Sequence, residues 1–435
     1  MPELPADADA ALARGAETAL AFAIEAVRIA AAAGQPAPEA LLPVFTRALA
    51  SLVRQALQPQ GGDPAFQGLV LRAQEPVVEE HVRLAARLPA LRRAARGAVA
   101  AIAHPGKLRA LPAGALRDAL AGLHALADAS DWTALQRQAR GLLAESDATG
   151  LHPAIEQLLR EPALAALLRQ DALQELEAVQ RYVQLCERRG PSAGSQAAAA
   201  QGRASARAGD EAEERTARAL QEVATLLDAG AATVTRHRVV RSMHTPPGFP
   251  GAADRAKDEW DAAIVCGPTA PLAALDIVLL VEVKAAPAAA TPDFARLLRG
   301  LQRLAQADPQ AAYAFACEQA EVLVTGASLV RLQPNGSTLP PHVIYACAAA
   351  PESQVPMLSA ATRGVLLAEP ASVALAQSQL RGEEVREDAL LSLWRALPTA
   401  PHLRSALHQW PTAQAVRAAM LHPDDLVAAV REAMA

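Results

Sequence analysis

The chain has 435 residues, enough for two or three domains of about 150 residues each. Apolar residues make up 51% of it and aromatic residues 3%, which favours helix and a sizeable core but leaves few rings for stacking on bases. The net charge of −5 excludes a surface that binds polyanions throughout, so any nucleic-acid contact has to come from a local basic patch.

The sequence predicts no membrane segment. The acidic N-terminus lacks the positive region of a signal peptide, and no run reaches the roughly 18 uncharged residues of a membrane span. The cysteines lie far apart and form no CxxC pair; they are Cys186, Cys266, Cys317 and Cys347. Isolated thiols are typical of a reducing compartment, so we expect a cytoplasmic protein without a membrane partner.

The first 188 residues are predicted to form a helical domain. Their Ala-, Leu- and Arg-rich segments lack strand alternation and are separated by Gly/Pro punctuation. The predicted helices cover residues 12–33, 39–57, 79–103, 113–127, 132–145 and 153–187. Residues 189–210 are rich in small and polar side chains and are predicted to be a linker, although their alanine content leaves a helical extension open.

Residues 211–369 are predicted to form a second, mixed domain with the order α-β-β-β-α-β-β, which makes the chain α+β overall. The predicted helices are 211–227 and 294–307, and the strands are 233–243, 260–266, 276–285, 321–325 and 342–348. Thr291-Pro292-Asp293 has the capping chemistry of a helix start. A further strand is possible at 364–368, and residues 370–435 are predicted to be a helical C-terminal region.

The strand at 276–285 carries the most informative residues. Nearly everything around Glu282 and Lys284 is aliphatic, so this strand is expected to be central and largely buried. Because strand side chains alternate, Glu282 and Lys284 should project together, while Val281 and Val283 project to the other face. A buried acid and amine are costly to desolvate unless they are paired or bound to a metal ion.

The preceding strand brings a second carboxylate to the same place. Asp261 enters an apolar run, and if this strand pairs as the hairpin neighbour, Asp261 can meet Glu282 at one end of the sheet. Two carboxylates and a backbone carbonyl suit Mg²⁺ or Mn²⁺. Such an ion activates water and neutralises charge on a phosphate, and a nearby ammonium can orient that water or stabilise the transition state.

Lysine is rare in this chain, which favours a chemical role for Lys284. Of the 41 basic residues only Lys107, Lys257 and Lys284 are lysines. Arginine therefore replaces lysine wherever charge alone is needed, and a lysine inside an apolar strand invites a chemical explanation. The alternative is a structural Glu–Lys pair near the strand end.

Asp261 in EWDAAIV, followed by Glu282-Val283-Lys284 in LLVEVKA within an αβββαβ order, resembles the PD-(D/E)XK nuclease superfamily, whose fold is that of restriction endonucleases. The resemblance covers residues 205–350. It implies a restriction-endonuclease-like core, Mg²⁺ or Mn²⁺ held by Asp261, Glu282 and the Val283 carbonyl, and a catalytic role for Lys284.

The resemblance also implies residues on two helices. Members often add a glutamate on the first helix, and here Glu214 matches it, with Glu213 as the alternate; a solvated helix face is the other interpretation. Some exonuclease-like members carry Q-x-x-x-Y on the second helix. This chain has Gln302, but Gln306 replaces the tyrosine.

Two groups of arginines are the best candidates for a patch that binds the nucleic-acid backbone. Arg296, Arg299 and Arg303 share one helical face, at spacings of three and four residues. Nearer the start of the domain lie Arg236, Arg238 and Arg241, beside His237 and His244. For each arginine alone, a plain solvated face is the alternative.

The leading hypothesis is therefore a Mg²⁺-dependent nuclease acting on DNA, whose helical N-terminal region supplies recognition, self-association or a protein partner. One alternative keeps the fold as a catalytically inactive scaffold. The other is a helical adaptor with a structural β-rich insert, and it predicts that Asp261, Glu282 and Lys284 do not converge.

Overall fold

The computed structural model describes residues 3–144, 150–190, 195–229, 235–270, 273–349, 356–386 and 388–435. Over these residues the chain is mixed α+β, as expected from the sequence. It divides into two compact units. The first comprises Met1–Leu52, Ser192–Ser372 and Val385–Ala435, and the second comprises Val53–Pro191 and Val373–Glu384.

This division differs from the predicted domain boundary at residue 188, because residues 1–52 belong to the unit that contains the sheet. Within that unit the ring of Phe45 packs on that of Trp394, with 5.1 Å between the ring centroids. Both side chains are fully buried. A helical pattern shows that one face must be covered, but it does not show which core covers it.

The first half of the chain is helical, as predicted. The helices are α1 (Ala8–Ala13), α2 (Ala16–Ala32), α3 (Leu42–Ala56), α4 (Pro64–Gln74), α5 (Pro76–Ala103), α6 (Pro105–Leu108), α7 (Ala115–Ala129), α8 (Trp132–Leu142), α9 (His152–Leu159), α10 (Pro162–Gln174) and α11 (Glu177–Arg188). The single helix predicted over 153–187 is three helices. Pro162 lies in the first turn of α10, where its missing N–H costs nothing, and Glu161 caps that helix.

A long helix, α12 (Gln196–Ala229), replaces most of the predicted linker. The helical extension that its alanine content left open is thus present over residues 196–210, while residues 191–194 lie outside the described residues. Its buried positions, such as Ala212, Thr216 and Leu220, follow a spacing of four and face the sheet.

The sheet is built from strands close to those predicted. The strands are β1 (Thr235–His244), β2 (Glu259–Pro268), β3 (Asp276–Lys284), β4 (Ala312–Phe315), β5 (Val322–Thr325), β6 (Val343–Cys347) and β7 (Met420–Leu421). Residues 233–234, predicted to begin the first strand, lie outside the described residues. In the described chain β1-β2-β3-β6-β7 form one mixed sheet and β4-β5 a separate hairpin. β1, β2 and β3 pair antiparallel, whereas β6 is parallel to β3 and β7 to β6.

The remaining helices of the described residues are α13 (Ala290–Leu304), α14 (Gly326–Val330), α15 (Ala360–Ala368), α16 (Pro370–Leu380), α17 (Leu391–Ala396), α18 (Arg404–Leu407), α19 (Gln409–Ala418) and α20 (Pro423–Met434). The strand considered at 364–368 is wrong, because these residues belong to α15. The Ser359 hydroxyl caps this helix by accepting from the Thr362 amide. The strands β4 and β7 were not predicted.

The mixed sheet is covered on both faces. Side chains of α12 and α20 pack on one face, against residues such as Ala262, Val281 and Val283. Side chains of α13 and α19 pack on the other, against residues such as Ala263 and Leu280. This alternation decides which side of the sheet each polar residue of β2 and β3 can reach.

No helix in the described residues is long and apolar enough to cross a membrane. The four cysteines, all within the described residues, are free thiols, and Cys347 on β6 is the buried one among them.

Candidate functional site

The predicted alternation along β3 is observed. Val281 and Val283 pack in the core beneath α12, whereas the Glu282 and Lys284 side chains meet each other on the side of α13. The Lys284 Nζ donates to Glu282 Oε1 at 2.7 Å. Only 2% of the Glu282 side chain and 17% of the Lys284 side chain are exposed. The pair is therefore nearly dry, and its charges interact more strongly than they would in water.

Asp261 lies on β2, the antiparallel neighbour of β3. Ala262 pairs with Val281 in the antiparallel register, so Asp261, one residue earlier, lies opposite Glu282, one residue later. There the Asp261 Oδ2 accepts a hydrogen bond from the Val283 backbone N–H at 2.7 Å. Asp261 and Glu282 thus meet at one end of the sheet. Val283 thus contacts the site through its backbone N–H. The resemblance implied its carbonyl oxygen instead, as a metal ligand.

Lys257, which sequence reasoning did not assign to the site, joins the two carboxylates. Its Nζ lies 2.9 Å from Glu282 Oε1 and 3.5 Å from Asp261 Oδ1, and 6% of its side chain is exposed. The signal that could have found it is its rarity: two of the three lysines of this chain lie in this cluster.

Asp293 on α13 is the second residue that the sequence did not assign. Its Oδ2 lies 3.0 Å from the Lys284 Nζ. The capping role predicted for Thr291-Pro292-Asp293 is wrong, because α13 begins at Ala290, after a turn of 3-10 helix over Pro287–Ala289. Asp293 therefore lies inside the first turn, from which its carboxylate reaches the lysine on β3.

Five side chains, which we call the polar cluster, thus converge: Lys257, Asp261, Glu282, Lys284 and Asp293. Burial raises the pKa of Glu282 to about 7; the Asp261 charge acts in the same direction, while Lys257 and Lys284 oppose it. Burial also acts to lower the pKa of Lys284, but Glu282 and Asp293 outweigh it and hold that pKa above its ordinary value. Lys284 is therefore a cation at neutral pH.

A close contact between α13 and the segment before β2 holds Lys257 in place. A Cβ atom on Gly300 would lie 2.8 Å from both the Cβ and the carbonyl oxygen of Lys257, and 2.9 Å from the Trp260 ring. The Lys257 backbone N–H also donates to the Arg296 carbonyl at 3.2 Å. The absence of a side chain at Gly300 therefore allows the approach that brings Lys257 to the carboxylates.

The two glutamates considered on the first helix differ in their surroundings. Glu214 binds Arg241 of β1, with 2.8 Å between Oε1 and the guanidinium, and is 60% exposed. Glu213 carries a pKa raised mainly by burial and next by the negative charge of Asp261. The negative charge of Asp261 thus acts on the alternate, Glu213, although that side chain is exposed.

The three arginines of α13 share one helical face but have different surroundings. Arg296 and Arg299 are exposed, with Arg296 3.4 Å from Asp258 and Arg299 donating to the Arg255 carbonyl at 2.9 Å. The Arg303 guanidinium instead lies over the Phe249 ring, 5.8 Å from its centroid. Gln302 is exposed, and at about 100° per residue it lies half a turn around the helix from Asp293.

The basic residues of β1 have partners of their own. His237 binds Asp228, with 2.7 Å from Nδ1 to Oδ1, and Arg236 lies 4.0 Å from the same carboxylate. Arg238 donates to the Pro268 carbonyl at 3.0 Å. Arg241 contacts Glu214 and Glu318. These contacts partly neutralise the strand, which weakens it as a site for a phosphate backbone.

The carboxylates of Asp261 and Glu282 already share one cation, the ammonium of Lys257. The second oxygen of Glu282, Oε2, is buried and accepts no hydrogen bond from the residues described, and the Glu282 carboxyl group also interacts with that of Asp293. Within those same residues, no group of three or more His, Cys, Asp and Glu side chains is arranged to hold a metal ion. Carboxylates at the end of a sheet are nonetheless the oxygen ligands that Mg²⁺ and Mn²⁺ prefer.

Comparison of the chain with family models, with curated proteins and with solved structures finds no match.

Proposed function

We propose that this protein is a Mg²⁺-dependent nuclease that hydrolyses phosphodiester bonds of DNA, with a restriction-endonuclease-like core. The observation that carries the proposal is the convergence of Asp261, Glu282 and Lys284 at one end of the sheet. A helical adaptor with a structural insert predicts that these side chains stay apart, so their convergence counts against that alternative.

The order of elements supports the proposed core. α12 and α13 cover opposite faces of the sheet. β1, β2 and β3 form an antiparallel meander, and β6 adds parallel to β3 after α13. These elements are compatible with the αβββαβ order implied by the resemblance, with the β4-β5 hairpin and α14 inserted before its last strand.

In this proposal Asp261 and Glu282 hold the metal ion, which would lower the pKa of water and neutralise charge on the phosphate. Lys284 acts as a cation rather than as a base, because its two carboxylate partners keep it protonated. It orients the attacking water or stabilises the negative charge of the pentavalent transition state. Asp293 fixes the position of the Lys284 ammonium, and Arg296 and Arg299 on the exposed side of α13 are available to contact the DNA backbone.

One observation favours a second candidate, a catalytically inactive scaffold of the same fold. The Lys257 ammonium lies between the two carboxylates, where it can neutralise them without a metal ion. A scaffold of this kind would bind DNA or protein without cleaving it.

The experiment that separates the two candidates is a cleavage assay on linear, circular and branched DNA with Mg²⁺. We expect cleavage by the wild type that requires the divalent ion, and a rate about 10²- to 10³-fold lower for Lys284→Ala, since one transition-state donor is worth about this much. Lys107→Ala, at an exposed lysine of the second unit, is the matched control and should cleave like the wild type. Equal cleavage by Lys284→Ala would remove that residue from the mechanism, and no cleavage by the wild type on any substrate would favour the scaffold.

A further inference from the structure

We propose that Lys257 is the resident counter-ion of the Asp261–Glu282 carboxylate pair, and that a divalent cation binds these carboxylates by displacing its ammonium group. This inference rests on the proposed function, because it concerns the metal ion of that same site. It adds a residue that positions the carboxylates and sets the affinity of the site for metal ions.

The first support is the placement of the ammonium. Its nitrogen contacts one oxygen of each carboxylate, at 2.9 Å for Glu282 and 3.5 Å for Asp261. A metal ion that bridges the two side chains would have to lie between them, where this ammonium lies. An ammonium and a divalent cation held together between two largely buried carboxylates would repel each other strongly. The two cations therefore exchange rather than bind together.

The second support is the difference between the two lysines of the polar cluster. Lys284 has a carboxylate partner outside the pair, Asp293 at 3.0 Å, so it stays paired when Glu282 binds a metal ion. For Lys257, both side-chain ion pairs found among the described residues are with Asp261 and Glu282. Lys257 is thus the cation whose binding partners a metal ion would take.

The third support is that only the side chain of Lys257 has to move. Its backbone is fixed by the hydrogen bond to the Arg296 carbonyl and by the close packing against Gly300. The flexible four-carbon stem can carry the ammonium away from the carboxylates while the backbone at Lys257 stays in place. The displaced ammonium then lies beside the site, where it can pair with an anion such as a phosphate group.

The test compares MnCl₂ binding by calorimetry in the full-length wild type, Lys257→Met and Lys257→Arg. Methionine keeps a stem of similar length without the charge, so Lys257→Met should bind Mn²⁺ at least tenfold more tightly than the wild type. Lys257→Arg keeps a permanent charge and should not gain affinity. Lys107→Met serves as the matched lysine control and should bind like the wild type, and Asp261→Asn should bind weakly if the ion is at this site.

The possible results separate the inference from the proposed function. If Mn²⁺ binds to the wild type and to Lys257→Met with equal affinity, or more weakly to the variant, the displacement is refuted while the metal site stands. If neither protein binds Mn²⁺, both the metal-dependent function and the displacement are overturned. Thermal unfolding supplies a readout without catalysis. Without metal, Lys257→Met should melt at a lower temperature than the wild type, and addition of Mn²⁺ should raise its melting temperature more than that of the wild type.

A second measurement on the wild type avoids any folding defect of a variant. Three lysines give a simple spectrum when only lysine side-chain nitrogens are labelled with ¹⁵N. Addition of MgCl₂ should shift or remove the Lys257 Nζ signal as the ammonium leaves the carboxylates, while the exposed Lys107 is unaffected. A Lys257 signal that stays unchanged at Mg²⁺ concentrations that saturate the site would refute the displacement.

Discussion

Glu282 is a carboxylate almost entirely removed from water. It is 2% exposed, it has Asp261 as a neighbour of like charge, and its Oε1 accepts from two lysines. Its pKa is about 7 because the desolvation cost and the Asp261 charge together exceed the stabilisation of the ionised carboxylate by the two ammonium groups. A buried carboxylate of this kind costs stability when it is ionised, and its position has to be explained by something other than stability.

This environment predicts a pH dependence of stability. The folded chain holds the Glu282 proton up to about pH 7, whereas an ordinary glutamate loses it near 4.5. The folded state therefore binds more protons between these two values, and the free energy of unfolding should fall as the pH rises through this window, by up to about 3 kcal/mol. Glu282→Gln should lack this component.

The measurement is denaturant unfolding of the wild type and of Glu282→Gln at pH 5 and pH 8, without divalent ions. Glu432→Gln, at an exposed glutamate of α20, is the matched control and should keep the pH dependence of the wild type. The same decrease between pH 5 and pH 8 in Glu282→Gln would show that Glu282 is not the group responsible.

At the scale of elements, the site depends on how closely α13 approaches the segment that leads into β2. Two residues of this helix matter in different ways: Asp293 supplies a carboxylate to Lys284, and Gly300 supplies space for Lys257 and Trp260. Gly300 has no positive φ, so it is needed for its size rather than for its backbone conformation. At Gly300 of the amphipathic helix α13, the need for close packing thus outweighs the low helix propensity of glycine.

We therefore expect Gly300→Ala to destabilise the protein although alanine favours helix. The added methyl group would lie within 3 Å of Lys257 and Trp260, and relieving this overlap should cost about 1–3 kcal/mol. The matched control is Gly364→Ala in α15, at an exposed helical position with nothing within 4 Å, which should gain about 0.5–1 kcal/mol. Denaturant midpoints measure both. A Gly300→Ala protein as stable as Gly364→Ala would contradict the close contact.

At the scale of the whole molecule, the first 52 residues belong with the sheet and not with the helices that follow them in sequence. α2 buries Leu20, Ile24 and Val27, and Phe45 of α3 packs on Trp394. The unit that holds the polar cluster is therefore assembled from three separate stretches of the chain.

This assembly predicts that Phe45→Ala destabilises the unit containing the sheet, by about 3–5 kcal/mol for a fully buried ring. Cys347, buried on β6, reports on that unit, so its thiol should react with a labelling reagent at lower urea concentration in the variant. Ile29→Ala removes a side chain that is 56% exposed on α2. The free energy of unfolding obtained from its labelling profile should lie within about 0.5 kcal/mol of the wild-type value. If Phe45→Ala leaves Cys347 protected to the same urea concentration, residues 1–52 form a domain of their own.

The features that depend on short-range periodicity could be predicted from the amino-acid sequence. The aliphatic run of β3 and its alternation placed Glu282 and Lys284 on one face, and the apolar run after Asp261 identified β2 as the strand that brings the second carboxylate. The helical character of the first 188 residues followed in the same way from composition and spacing. These properties are local, because the backbone repeats every 2 or about 3.6 residues whatever surrounds it.

The residues that complete the site, and the segments that share its core, could be identified from the fold but not from the sequence. Lys257 and Asp293 join the polar cluster through contacts made by a loop and by the first turn of a helix, and no local periodicity predicts either contact. Likewise, an amphipathic helix signals that it needs a partner but not which one, so residues 1–52 could not be assigned in advance to the unit of the sheet. Such pairings depend on contacts between segments far apart in sequence, where packing rather than local propensity decides.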